Sequence, residues 1–152
     1  MSNAPDTDFT TLSDVDVTLM LADSAQAADG KLYVLGGGWT FTGPAPSPAA
    51  LAGMVHVPWG RTNSRLSVSF ELVDEDGLAV EVPDDRGSTT PVAINLSVEI
   101  ARAPGAPEGM VQSTPFAINL SPLPFAPGRT YEWRCSVDGV PRTSRQFHVR
   151  SA

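Results

Sequence analysis

Residues 90–97 read TPVAINLS and residues 114–121 read TPFAINLS, one phrase written twice with a single change, Val92 against Phe116. Both copies alternate. Val92, Ile94 and Leu96, with Val98 and Ile100 beyond them, share one parity, and Ala93, Asn95, Ser97 and Glu99 share the other. In the second copy Phe116, Ile118 and Leu120 oppose Ala117, Asn119 and Ser121. Successive side chains of a strand point to opposite faces, so this period of two marks strands with one buried face. The segment between them, ARAPGAPEGM, carries the Pro and Gly of a connecting loop. The expectation is a long-looped antiparallel hairpin in which apolar residues oppose one another: Ile94 with Ile118 and Leu96 with Phe116, or one register on, Asn95 with Asn119. Two neighbouring strands in the same environment would then carry the same pattern.

The same alternation recurs outward from this pair. Val15, Val17, Leu19 and Leu21 form one apolar row, Leu66, Val68, Phe70 and Leu72 a second, Tyr131, Trp133, Cys135 and Val137 a third, and Phe147 with Val149 a fourth. Asp29-Gly30 and Asp138-Gly139 are hairpin turn dipeptides, and Pro127-Gly128 is a further turn. Gly36-Gly37-Gly38 reads as a bend, since no Lys-Ser/Thr follows to make it a phosphate loop. A short strand is expected from Trp39 and Phe41. Residues 42–53, TGPAPSPAALAG, read as a Pro-rich loop closing in a helical turn at AALAG, and MVHVPW as a short strand ended by Pro58. DEDG turns the chain into a strand at LAVEV (78–82), followed by the acidic loop PDDRGST. Eight to ten strands with turn signals about every ten residues imply an all-β, two-sheet antiparallel sandwich of immunoglobulin-like or jelly-roll type. Tyr131, entering a strand after PGRT, is placed to act as a corner tyrosine whose hydroxyl bonds back to the backbone. Residues 14–152 are expected to form a single domain behind a loose polar tail, residues 1–13.

Composition narrows the function classes. The chain has 152 residues, 14 Pro, 13 Gly and a formal charge of −7. That charge argues against nucleic acid and against an anionic membrane surface as partners, because both need clustered Lys and Arg. Lys31 is the only lysine and Cys135 the only cysteine, so no intramolecular disulfide forms. Arg in place of Lys, with abundant Ala, Gly and Pro, suits a GC-rich bacterial genome. Neither a signal peptide nor an apolar run long enough to span a membrane is apparent, and the cytoplasm is the expected compartment.

The run LADSAQAADGKLYVLGGGW resembles the opening of a family of small bacterial proteins classed as a domain of unknown function. Its pattern is a strand, Ala-Asp, a spacer, Asp-Gly-Lys-Leu, three variable residues and a Gly pair, matched here by Ala22, Asp23, Asp29, Gly30, Lys31, Leu32, Gly36 and Gly37. The resemblance extends from about residue 14 onward, except for residues 42–53. It implies a β-sandwich and brings no catalytic residues.

Candidate chemistry is sparse. Asp74, Asp76, Asp84 and Asp85 are the candidate metal ligands, but turns favour Asp and Gly on their own account, and DEDG lacks the alternating ligands of a calcium loop. Cys135 shares the core parity of Trp133, whereas His148 has the outward parity, which argues against a Cys/His dyad. No serine stands in a GxSxG elbow. Trp59, with Arg61 and Asn63, is the candidate ligand-binding group for a sugar or small molecule. Three functions follow: a non-enzymatic interaction or assembly module, with a protein partner or self-association into a homo-oligomer through strand edges; a small-ligand or carbohydrate-binding sandwich; or an enzyme using the acidic loops. No cofactor is implied.

Overall fold

The computed structural model describes residues 14–151, and the tail expected over residues 1–13 lies outside them. Among the described residues the chain forms β1 (Asp16–Ala22), β2 (Ser24–Ala28), β3 (Lys31–Leu35), β4 (Phe41–Thr42), β5 (Ala49–Val57) and β6 (Arg65–Val73). There follow β7 (Glu81–Pro83), β8 (Thr89–Pro91), β9 (Ala93–Glu99), β10 (Gln112–Leu120), β11 (Thr130–Val137) and β12 (Val140–Val149). The count is twelve rather than eight to ten, because β4, β7 and β8 are too short to show a period.

Two sheets enclose the core, one ordered β1-β5-β10 and the other β4-β12-β11-β6-β9. All pairs within them are antiparallel except β4 with β12. Strands β5 and β6 are consecutive yet lie in opposite sheets, as do β10 and β11. This is the strand order of an immunoglobulin-like sandwich: β1, β5 and β10 take the A, B and E places, and β12, β11, β6 and β9 the G, F, C and C′ places. The β2-β3 hairpin is an addition between β1 and β4, and β7-β8 is an addition between β6 and β9.

The alternating rows close on each other between the sheets. Leu19, Leu51, Leu66, Val68, Phe70, Leu72, Phe147 and Val149 are each at most 1 % exposed. Phe70 meets Phe116 across the gap at 5.3 Å between centroids. Tyr131, Phe147 and Phe125 form an aromatic knot at one end. The Tyr131 hydroxyl accepts the Ala126 N–H at 2.9 Å, the corner contact expected from its position at the start of β11. Both Asp-Gly turns hold left-handed φ at both residues, 53° and 72° at Asp29-Gly30 and 49° and 80° at Asp138-Gly139, the geometry of a two-residue hairpin turn.

Three expectations are corrected. The two copies of the repeat do not pair with each other. β9 lies beside β6, with Ile94 opposite Phe70 and Leu96 opposite Val68, while β10 lies beside β5, with Ile118 opposite Leu51 and Phe116 opposite Gly53. Alternation states which face is buried and not which strand is the neighbour, and the segment after β9 crosses from one sheet to the other. AALAG is neither loop nor helical turn but the first half of β5, the central strand of its sheet. Its alternation is erased because both faces are covered: Leu51 points to the core, and Ala50 and Ala52, on the other parity, are 1 % and 0 % exposed. LAVEV is a strand only at its end, β7, which pairs with β8, while Ala79 makes an isolated bridge to Val73.

Gly53 shows how closely β5 is packed. A Cβ there would collide with the Thr18 carbonyl oxygen of β1 and approach the Phe116 ring to 2.8 Å. Backbone cannot yield as a flexible side chain can. Gly53→Ala is therefore expected to destabilise the fold by about 3 kcal/mol, near the upper end for overpacking. Thermal unfolding would show this as a fall of about 6–12 °C in Tm.

Candidate functional site

The turn after β5 gathers the three residues expected to bind a ligand. Trp59 and Arg61 stand in a single 3-10 turn, Trp59–Arg61, and Asn63 follows at a left-handed φ of 59°. The structure brings them to one end of the sandwich but commits the Trp59 ring and the Arg61 guanidinium to the protein, while Asn63 is exposed. The Arg102 guanidinium lies 3.8 Å from the Trp59 ring centroid, and its nitrogens donate to the Trp59 carbonyl and the Thr62 hydroxyl, each at 2.8 Å. One face of the indole is thus occupied by a cation. Asn63 donates its backbone N–H to the Ile100 carbonyl at 2.9 Å.

Arg61 is the hub of an ion cluster. Its Nη1 is 2.7 Å from Asp14 Oδ1 and its Nη2 is 3.0 Å from Asp138 Oδ2, while Arg142 Nη2 reaches Asp14 Oδ2 at 2.9 Å. Asp138 also accepts the Ser67 N–H at 2.9 Å. The cluster ties the entry to β1, the turn after β5 and the β11-β12 hairpin into one corner. The Val15 N–H and then Arg142 hold the Asp14 carboxyl below its usual value of 3.8.

The acidic loops are built as turns. Asp74 Oδ1 accepts the N–H groups of Asp76 and Leu78, at 2.9 and 3.0 Å. Asp84 Oδ1 repeats the geometry with Arg86 and Ser88, at 2.9 and 3.0 Å. The two carboxylates organise their own loops, as short polar side chains do in tight turns. Asp76 and Asp85 are exposed. Among the described residues no group of three or more His, Cys, Asp or Glu side chains converges as a metal site would require.

Cys135 is 1 % exposed between the sheets, and burial pushes its thiol up to about 11. It lies opposite Thr143, whereas His148 lies opposite Thr130 and exchanges a 2.9 Å hydrogen bond with its hydroxyl. The two are on opposite faces of the sheet and form no dyad. His56 bridges Thr18 and Ser113 across three strands, at 2.8 Å on each side, on the outer face of β5. Between the sheets, beside Trp39, Trp133 and Phe147, the space amounts to about 10 Å³, on the order of one water.

The hairpin expected at Asp29-Gly30 is β2-β3, and it offers a surface that sequence reasoning did not single out. It lies over the outer face of β5 and β10. Asn119 of β10 holds it with both ends of its amide, Oδ1 accepting the Ala25 N–H at 3.1 Å and Nδ2 donating to the Ala25 carbonyl at 2.8 Å. Gly36, at φ 61°, turns the chain back where any Cβ would collide with the Asp23 carboxylate. The Asp23 N–H reaches the Leu35 carbonyl at 3.0 Å and the Gly38 N–H the Leu21 carbonyl at 2.7 Å. The residues of the Ala-Asp…Gly-Gly pattern are therefore the joint of this hairpin, and Asp29-Gly30 is its tip. Leu32 and Val34 are half-buried, while Tyr33 and Leu35 are 53 % and 70 % exposed beside an open groove of about 540 Å³. The available signal was KLYVL itself, a strand apolar on both parities.

The chain belongs to a family of unknown function, DUF6941, whose sequence profile matches residues 17–150. No curated protein sequence matches it. An immunoglobulin-like protein of Pseudomonas aeruginosa is a structural neighbour at 12 % identity and TM-score 0.45, over 91 % of this chain and 98 % of its own.

Two outcomes follow from these environments. Asp14 has a lowered pKa when folded, so its contribution to stability is present above the usual value of 3.8 and is lost as the pH falls through the folded value. Asp14→Asn is expected to lower Tm at neutral pH, and the difference from wild type should shrink on acidification below about pH 4. Cys135 should fail to react with an aromatic disulfide reagent in the native protein at pH 8 and react fully in denaturant.

Proposed function

We propose that the protein is a non-enzymatic interaction module that engages a protein partner through the outer face of the β2-β3 hairpin. The observation that carries this reading is Tyr33 and Leu35, a large aromatic and a large aliphatic side chain standing free on a hairpin that Asn119 and the Asp23–Gly36 joint hold in place. A rigid aromatic anchor beside a groove is what protein interfaces use at their energetic centres. The free edge of β3 adds backbone donors and acceptors for an extended segment of the partner. The family is one of unknown function and assigns the hairpin no activity.

The reading that places a sugar or small ligand on Trp59, Arg61 and Asn63 has less support, since Arg102 already covers the indole and Arg61 is engaged by two carboxylates. The reading that places catalysis in the acidic loops rests on carboxylates that the turns themselves employ.

Tyr33→Ser with Leu35→Ser removes the anchors without entering the core. The doubly substituted protein should keep its Tm within a few degrees and lose binding by about tenfold or more, the effect of deleting interface anchors. Cross-linking in the source cells, wild type against variant, identifies the partners concerned. A set of partners unchanged by the substitutions would overturn the proposal.

A further inference from the structure

A sandwich leaves four lateral edges, and three of them are blunted here. β4 is two residues long. β1 gives its Leu21 carbonyl to Gly38, so part of its open side is already used. That bond also fixes the direction of the peptide groups. Leu21 faces away from β5, so through the registers the odd residues of β10 face away from β5 as well. Pro115 is one of them, and a proline without an N–H at the open side of a strand is a standard block to strand addition.

β9 has no such device. The Leu72 N–H donates to the Val92 carbonyl, so the even residues of β9 face β6, and Ala93, Asn95, Ser97 and Glu99 turn their N–H and C=O groups to the open side. All four are exposed. The strand is regular, with no register shift against β6, and it contains no Pro, Lys or Arg. Its core-facing residues Ile94, Leu96 and Val98 are only half-buried, whereas their partners Phe70, Val68 and Leu66 are at most 1 % exposed. The edge therefore leaves both unpaired backbone and unfilled apolar contact.

We infer that β9 pairs antiparallel with β9 of a second copy of this chain, about a twofold axis at Leu96. The strand is self-complementary in that register. The outward-facing residues meet as Ala93 with Glu99 and Asn95 with Ser97, in both directions, so that every open-side peptide group from 93 to 99 finds a partner. The single acidic residue meets alanine and not its own copy. Ile94 then lies beside Val98 of the other copy and Leu96 beside Leu96, which continues the apolar row across the junction and joins the two five-stranded sheets into one. A register shifted to centre on Asn95 would bring Pro91, which has no N–H, opposite Glu99. The edge shares no residue with the hairpin surface proposed above, so the Tyr33 and Leu35 substitutions leave this association unchanged.

Light scattering behind size exclusion tests it on the full chain. Wild type is expected at twice the 16.0 kDa of the chain, dissociating on dilution. Asn95→Pro removes an open-side N–H while leaving the β6 ladder intact, and is expected to give a folded monomer. Leu96→Cys is expected to form a disulfide-linked dimer on mild oxidation, and Ile94→Cys, whose neighbour is Val98, is not. Cys135 is buried and takes no part. A wild type that stays monomeric at millimolar concentration, or a folded Asn95→Pro dimer, would overturn the inference. Should Asn95→Pro fail to fold, the cysteine pair decides it: cross-linking of both variants or of neither excludes this register.

Discussion

The close approach of backbones at the centre of the small sheet governs much of the rest of this fold. β5 is bounded by β1 and β10 at its sides, by the core on one face and by the β2-β3 hairpin on the other. Only small residues fit there, and the strand supplies Ala50, Ala52 and Gly53 where they are needed. Phe116 lies across from Gly53 and fills the volume that a side chain on β5 would have taken, reaching Phe70 in the opposite sheet. A cross-strand aromatic over glycine restores packing that glycine alone would forfeit. The hairpin, in turn, sits close over the part of β5 where Ala50 and Ala52 carry only methyl groups outward.

That constraint also explains what the sequence disclosed and what it hid. β1, β6 and β11 were legible because each has one face in the core and one outside, so their alternation is complete. The Asp-Gly turns and the Tyr131 corner were legible because their chemistry is local. The second half of β5 was read as a strand from MVHV, but its first half, AALAG, was not legible, because covering both faces removes the period and leaves small residues that strands do not favour by propensity. The partners of β9 and β10 were hidden for a different reason. Register and face are written along a strand, but the choice of neighbour depends on where the connecting segment goes, and a chain of this length between them permits either a hairpin or a crossing between sheets.

The candidate ligand residues show the same division. Their gathering in one turn after Pro58 was visible from spacing. Their employment was not: the ion pair of Arg142 with Asp14 joins residues 128 apart in the chain, and Arg102 comes to Trp59 from the crossing segment. Side chains that look free in a sequence become structural when distant segments converge on them. Exposed charges of this kind contribute modestly one by one and more when they share partners, as Arg61, Asp14, Arg142 and Asp138 do. The acidic loops are the opposite case, in which local turn chemistry sufficed to account for Asp74 and Asp84.

The doubled phrase belongs to the edges. β9 and β10 occupy the C′ and E places, the outer strands on the same side of the two sheets. Each needs one apolar row for the shared core, which accounts for the matching inward residues, and Phe116 replaces Val92 where glycine must be covered. The outward residues match in letters but not in work. Asn119 clamps Ala25 with both ends of its amide, while Asn95 is exposed on an open strand. Pro115 lies within β10, whereas Pro91 ends β8 before β9 begins. One phrase thus yields a covered, proline-blunted edge in one sheet and a bare edge in the other, and the difference comes from where the strand begins relative to the proline.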